Sequence, residues 1–240
     1  GVVPSEMPAG FPLEALKAQA VAARSEALAK LDKRHKNQPF DICADVHCQV
    51  YSGLTRQHER TSRAVEETRG RVLMHDNEII DAVYSSVCGG HTEHAHHAWG
   101  GNGAPYLKGR FDGTSRLRRY GNLQKEKNVR AWLRSDVPAF CNSTRNHSES
   151  ALEYTKKYFR WHKTVSQQQL SNTITRQTGT DIGTIQGFTP LKRGVSGRII
   201  RLKVDGSAGS VIIERELSIR RALAPTTLWS SCFYVTAQPP

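Results

Sequence analysis

Three groups of residues in this sequence have types and spacings suited to chemistry. The first is a lone carboxylate, Glu6, in "GVVPSEMPAGFP", set in a turn between Pro4 and Pro8 and flanked by Val2, Val3 and Met7. Apolar surroundings disfavour the charged form of a carboxyl group, which suits a general acid that must hold its proton near neutral pH. The same residue also reads as a helix-entry glutamate beside the positive end of a helix dipole. The second group is "CADVHC", with Cys43, His47 and Cys48, and with His35 eight residues ahead of Cys43. Thiolates and imidazoles are the ligands zinc prefers, and a structural site takes four of them. Adjacent His47 and Cys48 converge on one ion only if the backbone turns between them, since a strand would send them to opposite faces. A Cys43–Cys48 disulfide and a pair of free buried thiols are the competing readings.

The third group is "YSSVCGGHTEHAHHAW". Its histidines, His91, His94, His96 and His97, lack the H-E-x-x-H spacing of a helical zinc protease. Gly89 and Gly90 allow backbone to approach a ligand or to turn sharply. Tyr84, Ser85, Ser86 and Thr92 are residue types that line sugar grooves, and a plain loop is the alternative. A G-x-S-x-G nucleophile elbow does not occur, which excludes that hydrolase class. A Cys88–His91 nucleophile pair has nothing specific behind it.

The elements that must position these groups follow from pattern. From Pro12 to about Lys33 the sequence predicts a helix, with Pro12 at its first position and Leu13, Leu16, Ala20, Ala23, Ala27 and Leu31 on one face. Its alanines permit close packing, so it is expected to be central, and Glu26 and Lys30 pair at i,i+4 on its polar side. A strand is expected at 49–51, a polar helix over 58–69, and a hairpin turning at Asp76-Asn77. The stretch 108–150 reads as long loops with a short helix near Trp132. Beyond it come three short strands with glycine-rich turns, a helix near Glu216 to Leu223, and a last strand in "SSCFYVT". The sum is an α+β fold, a central alanine-rich helix with antiparallel strands and long loops around a substrate cleft, without βαβ alternation. One domain over 1–240 is expected, or sub-domains 1–107 and 151–240 joined by the basic segment 108–150.

The 240 residues carry a formal charge of +12, and between Lys108 and Arg134 nine Lys or Arg face only Asp112 and Glu126. Such a field draws polyanions. Helix-turn-helix, zinc-finger and RRM signatures do not occur, so nucleic acid is not the expected partner, and an acidic polysaccharide serves the charge equally well. Five cysteines leave one over from any full disulfide pairing. No apolar run of 18 residues occurs, so any membrane attachment would come through a segment outside this chain.

The opening "GVVPSEMPAGFPLEALKAQAVAARSEAL" resembles the start of the stage II sporulation protein D domain, the SpoIID/LytB family. The resemblance continues in "HCQVYSG", "AVEETRGRVLMHDNEIIDAVYSSVCGGHT", "PYL", "RWHKTVSQQQL", "GRIIRLKVDG" and "IRRAL…LWSSCFYV". It implies an extracytoplasmic bacterial protein that acts on peptidoglycan glycan strands as a lytic transglycosylase, or that enhances a cell-wall amidase. It assigns the catalytic acid to Glu6, and a structural zinc to Cys43, His47 and Cys48 with His35. No cofactor is implied for catalysis. One acid suffices for this reaction, whereas most glycoside hydrolases need two carboxylates. Lys17, Gln19, Tyr84, Ser85, Ser86, Gly89, Gly90 and Thr92 are the expected substrate contacts.

Overall fold

The computed structural model describes residues 1–114, 120–145 and 150–236. The fold is α+β, with eight α-helices and two small antiparallel sheets among these residues. The chain divides into two compact units, Gly1–Ser86 with Ser148–Tyr154, and Val87–His147 with Thr155–Pro240.

In the first unit, α1 (Val2–Glu6) precedes α2 (Leu13–Lys30), which packs against α1 and against α3 (Glu59–Glu67). The alanine-rich sequence explains the close approach. Leu16, Ala20 and Ala23 are buried, and Leu16 and Ala20 join Val3, Phe11 and Ala64 in one apolar cluster. α2 stops at Lys30, three residues short of the predicted end, because Leu31 turns extended and Asp32 takes a positive φ of 58°. Its Glu26–Lys30 pair is present but buried, the side chains 10% and 6% exposed, where the sequence pattern placed it on the solvent side. Residues 48 and 49 also join α2, with the Cys48 carbonyl on Lys30 Nζ and the Gln49 amide on the Ala23 carbonyl.

α3 begins where predicted, capped by the His58 ring, which accepts from Arg60 N–H. β1 (Met74–His75) and β2 (Glu78–Ile79) form the predicted hairpin, with Asp76 and Asn77 at φ 49° and 61°. Two successive positive φ values match the twist of a tight hairpin, and short polar side chains tolerate them best. The ladder is only two residues long on each side. No strand forms at 49–51, because Val50 N–H donates to a side chain rather than to a neighbouring strand.

In the second unit, α4 (Ala95–Trp99) interrupts the histidine-rich loop, and α5 (Glu126–Leu133) is the helix expected near Trp132. α6 (Lys156–Phe159) and α7 (Gln167–Thr178) follow. Sequence reading passed over α7, although Ser166 and Gln169 form its capping box and Gly179 closes it at φ 72°. β3 (Ile185–Arg193), β4 (Ile199–Gly206) and β5 (Gly209–Glu214) make an antiparallel sheet in that order. Leu202 and Val204 of the central strand point into a core with Ile174 of α7 and Ile219 of α8 (Glu216–Ala222). The expected last strand does not form. The stretch 231–236 is irregular, and Ile199 N–H reaches the Ser231 carbonyl as an isolated bond. A second cluster gathers Tyr120, Trp132, Val137 and Phe159.

Candidate functional site

Glu6 is the last residue of α1, not a residue of an open turn as the prolines suggested. Pro4 fits within this first helical turn, where its missing N–H is not needed. Met7, in extended conformation, ends the helix with its N–H on the Val3 carbonyl. The half-buried Glu6 side chain accepts a hydrogen bond from Val50 N–H at 2.9 Å. Two residues further on, Ser52 N–H donates to the Ser5 hydroxyl at 3.1 Å, so residues 50–52 run along α1 and fix it. From the other side, Arg60 of α3 donates to the Ala9 and Phe11 carbonyls at 2.9 and 2.8 Å and clamps the turn after the helix.

The Tyr84 phenol faces Glu6. Burial first, and then the negative charges of Glu6 and Glu26, raise its pKa well above the usual tyrosine range, so it remains a neutral donor. Gln19, buried on α2, lies beside the same phenol, and its Nε2 makes no hydrogen bond of good geometry. An orphan amide of this kind is a donor in waiting, since a buried polar group without a partner costs free energy. Glu6, Tyr84 and Gln19 therefore form one chain of contacts: a carboxyl held by a backbone amide and faced by the Tyr84 phenol, with the Gln19 amide beside that phenol.

The other expected contacts sort differently. Lys17 is tied to Glu14 and Glu67, each at 2.7 Å, and links α2 to α3. Ser85 and Ser86 are exposed at the end of the first unit. Gly89, Gly90 and Thr92 belong to the second unit. There Gly90 has φ 98°, and a Cβ on it would come within 2.9 Å of the Trp132 ring, so glycine is required for packing. Thr92 exchanges hydrogen bonds with Arg110 through both backbone and hydroxyl. A cavity of about 400 Å³ in the first unit is lined by Val2, Pro4, Ala20, Ala23, Arg24 and Gln57 among others; Glu6 is not part of its wall.

The histidines of the loop are used in the packing of the second unit. His97 Nδ1 meets Glu93 Oε1 at 2.9 Å, and the His94 ring accepts from Gly109 N–H at 3.0 Å. Glu93, 5% exposed, also accepts from the Ser196 hydroxyl at 2.6 Å. Burial would raise its pKa, but the Ser196, His97 and backbone hydrogen bonds outweigh it and the net direction is down. Burial lowers the pKa of His91.

His35, Cys43, His47 and Cys48 come together as a group able to hold a metal ion, with ligand atoms all within 4.8 Å of one another. The His35 Nε2–Cys48 Sγ distance is 3.2 Å, and His47 Nδ1 lies 3.6 Å from both sulfurs. A tetrahedral ion bound at about 2.0–2.3 Å separates its ligands by roughly 3.3–3.8 Å, so these spacings fit. The backbone does turn before His47 and Cys48, with Cys48 N–H on the Asp45 carbonyl at 3.1 Å, and both side chains thereby reach one point. His35 sits at φ 52°, the left-handed region, which swings its ring back toward the sulfurs.

This cluster adjoins the Glu6 mount. Lys30 Nζ donates to the Cys48 carbonyl at 2.9 Å and to Glu26, while Gln49 donates to the Ala23 carbonyl at 2.6 Å and to Glu26 at 3.0 Å. One continuous stretch, 48–50, thus carries a metal-type ligand, a buried amide network and the amide that holds Glu6. Val50 escaped sequence reading because a backbone donor leaves no mark in a side-chain pattern. Gln49 and Lys30 escaped because nothing local announces their burial.

Residues 1–75 match the family model described as stage II sporulation protein, and residues 93–239 match one described as a domain of unknown function (DUF8618). The chain belongs to the DUF8618 family, whose model spans more than half of it, and its first part is similar to the SpoIID family. The SpoIID match is narrower than the motif resemblance, which ran on past residue 200. It ends inside the first structural unit, and the second match begins inside the other. The amidase enhancer of Bacillus subtilis is 40% identical over 112 residues, 47% of this chain and 15% of that protein. Stage II sporulation protein D of the same organism is 34% identical over 122 residues, 45% of this chain and 35% of that protein. An uncharacterised protein of Brachyspira hyodysenteriae is 39% identical over 109 residues, covering 29% of its length. The chain therefore matches about a third or less of each relative's length.

Proposed function

We propose that this chain acts at the bacterial cell wall, outside the cytoplasm, as a peptidoglycan lytic transglycosylase with Glu6 as its acid and base. The observation that carries the reading is the mounting of Glu6. It is the one acid of "GVVPSEMPAGFP" at the start of the matched domain, gripped by Val50 N–H and faced by the Tyr84 phenol. In the reaction, protonated Glu6 gives its proton to the oxygen linking N-acetylmuramic acid to N-acetylglucosamine, and the C1–O bond breaks. The resulting carboxylate then takes the proton of the muramic 6-hydroxyl as that oxygen bonds to C1. The product is a 1,6-anhydro end and no water is consumed. The neutral Tyr84 phenol and the Gln19 amide supply hydrogen bonds that orient the carboxyl or a sugar hydroxyl. One carboxyl serving twice needs rigid positioning more than a second acid.

Zinc is the metal we assign to His35, Cys43, His47 and Cys48. Four protein ligands leave no open position, so the ion would be structural, tying residues 35–48 beside the Glu6 mount. The excess positive charge suits strands stripped of stem peptides, whose lactyl carboxylates make them polyanions. A second reading draws on the amidase enhancer relative: a non-catalytic module that binds glycan and activates an amidase. Mass spectrometry of strand ends after incubation with the wild type and with Glu6→Gln separates the two readings. Activation of an amidase by Glu6→Gln at the wild-type level, without strand cleavage by either, would favour the second.

A further inference from the structure

Two cysteines take no part in the chemistry above, and they lie together in the second unit. Cys88 Sγ and Cys141 Sγ are 3.5 Å apart, although 53 residues separate them in sequence. Both thiols are partly buried, and Cys141 and Val87 pack on the same apolar cluster as Trp132 and Phe159. The backbones around them are held in place. Asp112 N–H donates to the Gly90 carbonyl at 3.0 Å, Phe140 N–H to the Asp112 carbonyl at 2.8 Å, and Cys141 N–H to Asp112 Oδ2 at 2.9 Å. Arg198 Nη2 donates to the Cys88 carbonyl and Arg160 Nη1 to the Gly89 carbonyl. We propose that Cys88 and Cys141 are a dithiol that closes to a disulfide, fastening the glycine loop to the 138–142 turn.

A disulfide needs its sulfurs to close to about 2.05 Å, a movement that side-chain rotation supplies when the backbone is already in position. The chemistry is thiol–disulfide exchange with an external disulfide, RSSR. Cys88, as thiolate, attacks one sulfur of RSSR; the S–S bond breaks and RS⁻ leaves, taking up the proton that Cys88 gave. Cys141 then loses its proton to the Asp112 carboxylate, which lies within 4.8 Å of both sulfurs, and attacks the mixed disulfide. The second RS⁻ leaves and receives that proton. Two protein thiols are oxidised and one RSSR is reduced to two RSH. The asymmetry of the pair supports this order: the Cys141 hydrogen bond lowers the Cys88 pKa, and the thiolate is the nucleophile.

The pairing also resolves the odd cysteine count. Cys43 and Cys48 belong to the metal-type cluster, Cys88 and Cys141 to the dithiol, and Cys232 is left with its thiol on the Ser196 carbonyl at 3.5 Å. The inference rests on the proposed location at the cell wall only for its natural oxidant. In vitro the oxidant is oxidised glutathione, so its failure and the failure of that location are told apart.

The test is a non-reducing tryptic map of the whole chain after equilibration with oxidised glutathione and quenching by alkylation. The expected result is one cross-linked species joining peptides 72–108 and 135–145, lost on reduction. With it comes a melting temperature of the second unit that falls on reduction by about 5–10 °C in the wild type and not at all in Cys88→Ser or Cys141→Ser. Recovery of both peptides singly alkylated or glutathionylated would overturn the proposal. So would a tightly held metal equivalent that Cys88→Ser removes. The map uses the wild type, so it decides the question even if a variant does not fold.

Discussion

Lys30→Met tests the idea that stretch 48–50 is fixed from beneath by a buried ionic network. The wild-type ammonium meets Glu26 and the Cys48 carbonyl with its side chain 6% exposed, and Glu26 is 10% exposed. Methionine fills the same space without the charge. Glu26 then keeps only the Gln49 amide, and the Cys48 carbonyl loses its donor. Breaking one half of a buried pair costs about 3–5 kcal/mol, because the remaining charge is left uncompensated. At a urea dependence of about 2 kcal/mol/M, this lowers the midpoint by roughly 1.5–2.5 M. All four tryptophans lie in the second unit, so indole fluorescence is silent for this change. Far-UV circular dichroism with hydrogen exchange at α2 amides reads it instead. The double variant Glu26→Gln/Lys30→Met, which removes both charges, should recover most of the loss. A cost below about 1 kcal/mol, or a double variant no better than the single, would refute the network's role.

Two further outcomes follow from the site geometry. The first unit should bind one equivalent of Zn²⁺ or Co²⁺, with a tetrahedral thiolate spectrum for Co²⁺. Cys48→Ser should weaken binding by more than the roughly 10–100-fold that losing a supporting hydrogen bond costs; equal binding by the variant would remove the assignment. The second unit should lose stability on acidification. The His91 pKa is lowered from 6.5 by burial, so the unfolded chain takes up its proton first and stability falls as pH drops below that value. Glu93, lowered from 4.5, contributes stability above that pH, and this is lost as pH falls through its folded-state value. Indole-monitored melting from pH 7.5 to 3.5 checks this, and a flat profile would contradict it.

What the sequence made legible was local. Alanines at i, i+3 and i+4 spacing, a proline at the helix entry and an Asp-Asn pair between apolar runs each act within a few residues. α2 and the first hairpin turn were accordingly readable. The four ligand-type residues spanning 35–48 were readable too, since their types are rare and their spacing short. Glu6 stood out in the sequence, but its mount did not, because its grip comes from Val50, 44 residues away. Burial of Glu26 and Lys30 was hidden for the same reason: i,i+4 spacing gives a pair but not the side that faces water. The glycine pair was read as allowing either a close ligand or a sharp turn; both glycines do turn at positive φ, and what approaches Gly90 is the Trp132 ring. In "SSCFYVT" β-type residues form no strand, since the Ser231 carbonyl takes one bond from Ile199 and no ladder follows. α7 went the other way, with its capping box and closing glycine present in plain sequence beside a polar, unpromising helix face.

The most direct measurement of the central claim is mass spectrometry of glycan strand ends, using strands with and without stem peptides, after incubation with the wild type and with Glu6→Gln. The account predicts 1,6-anhydro-muramic ends from the wild type, more of them from stripped strands, and a loss of at least about 100-fold in Glu6→Gln, the scale of one general acid–base group. Anhydro ends produced at the wild-type rate by Glu6→Gln, or reducing ends from the wild type, would contradict it.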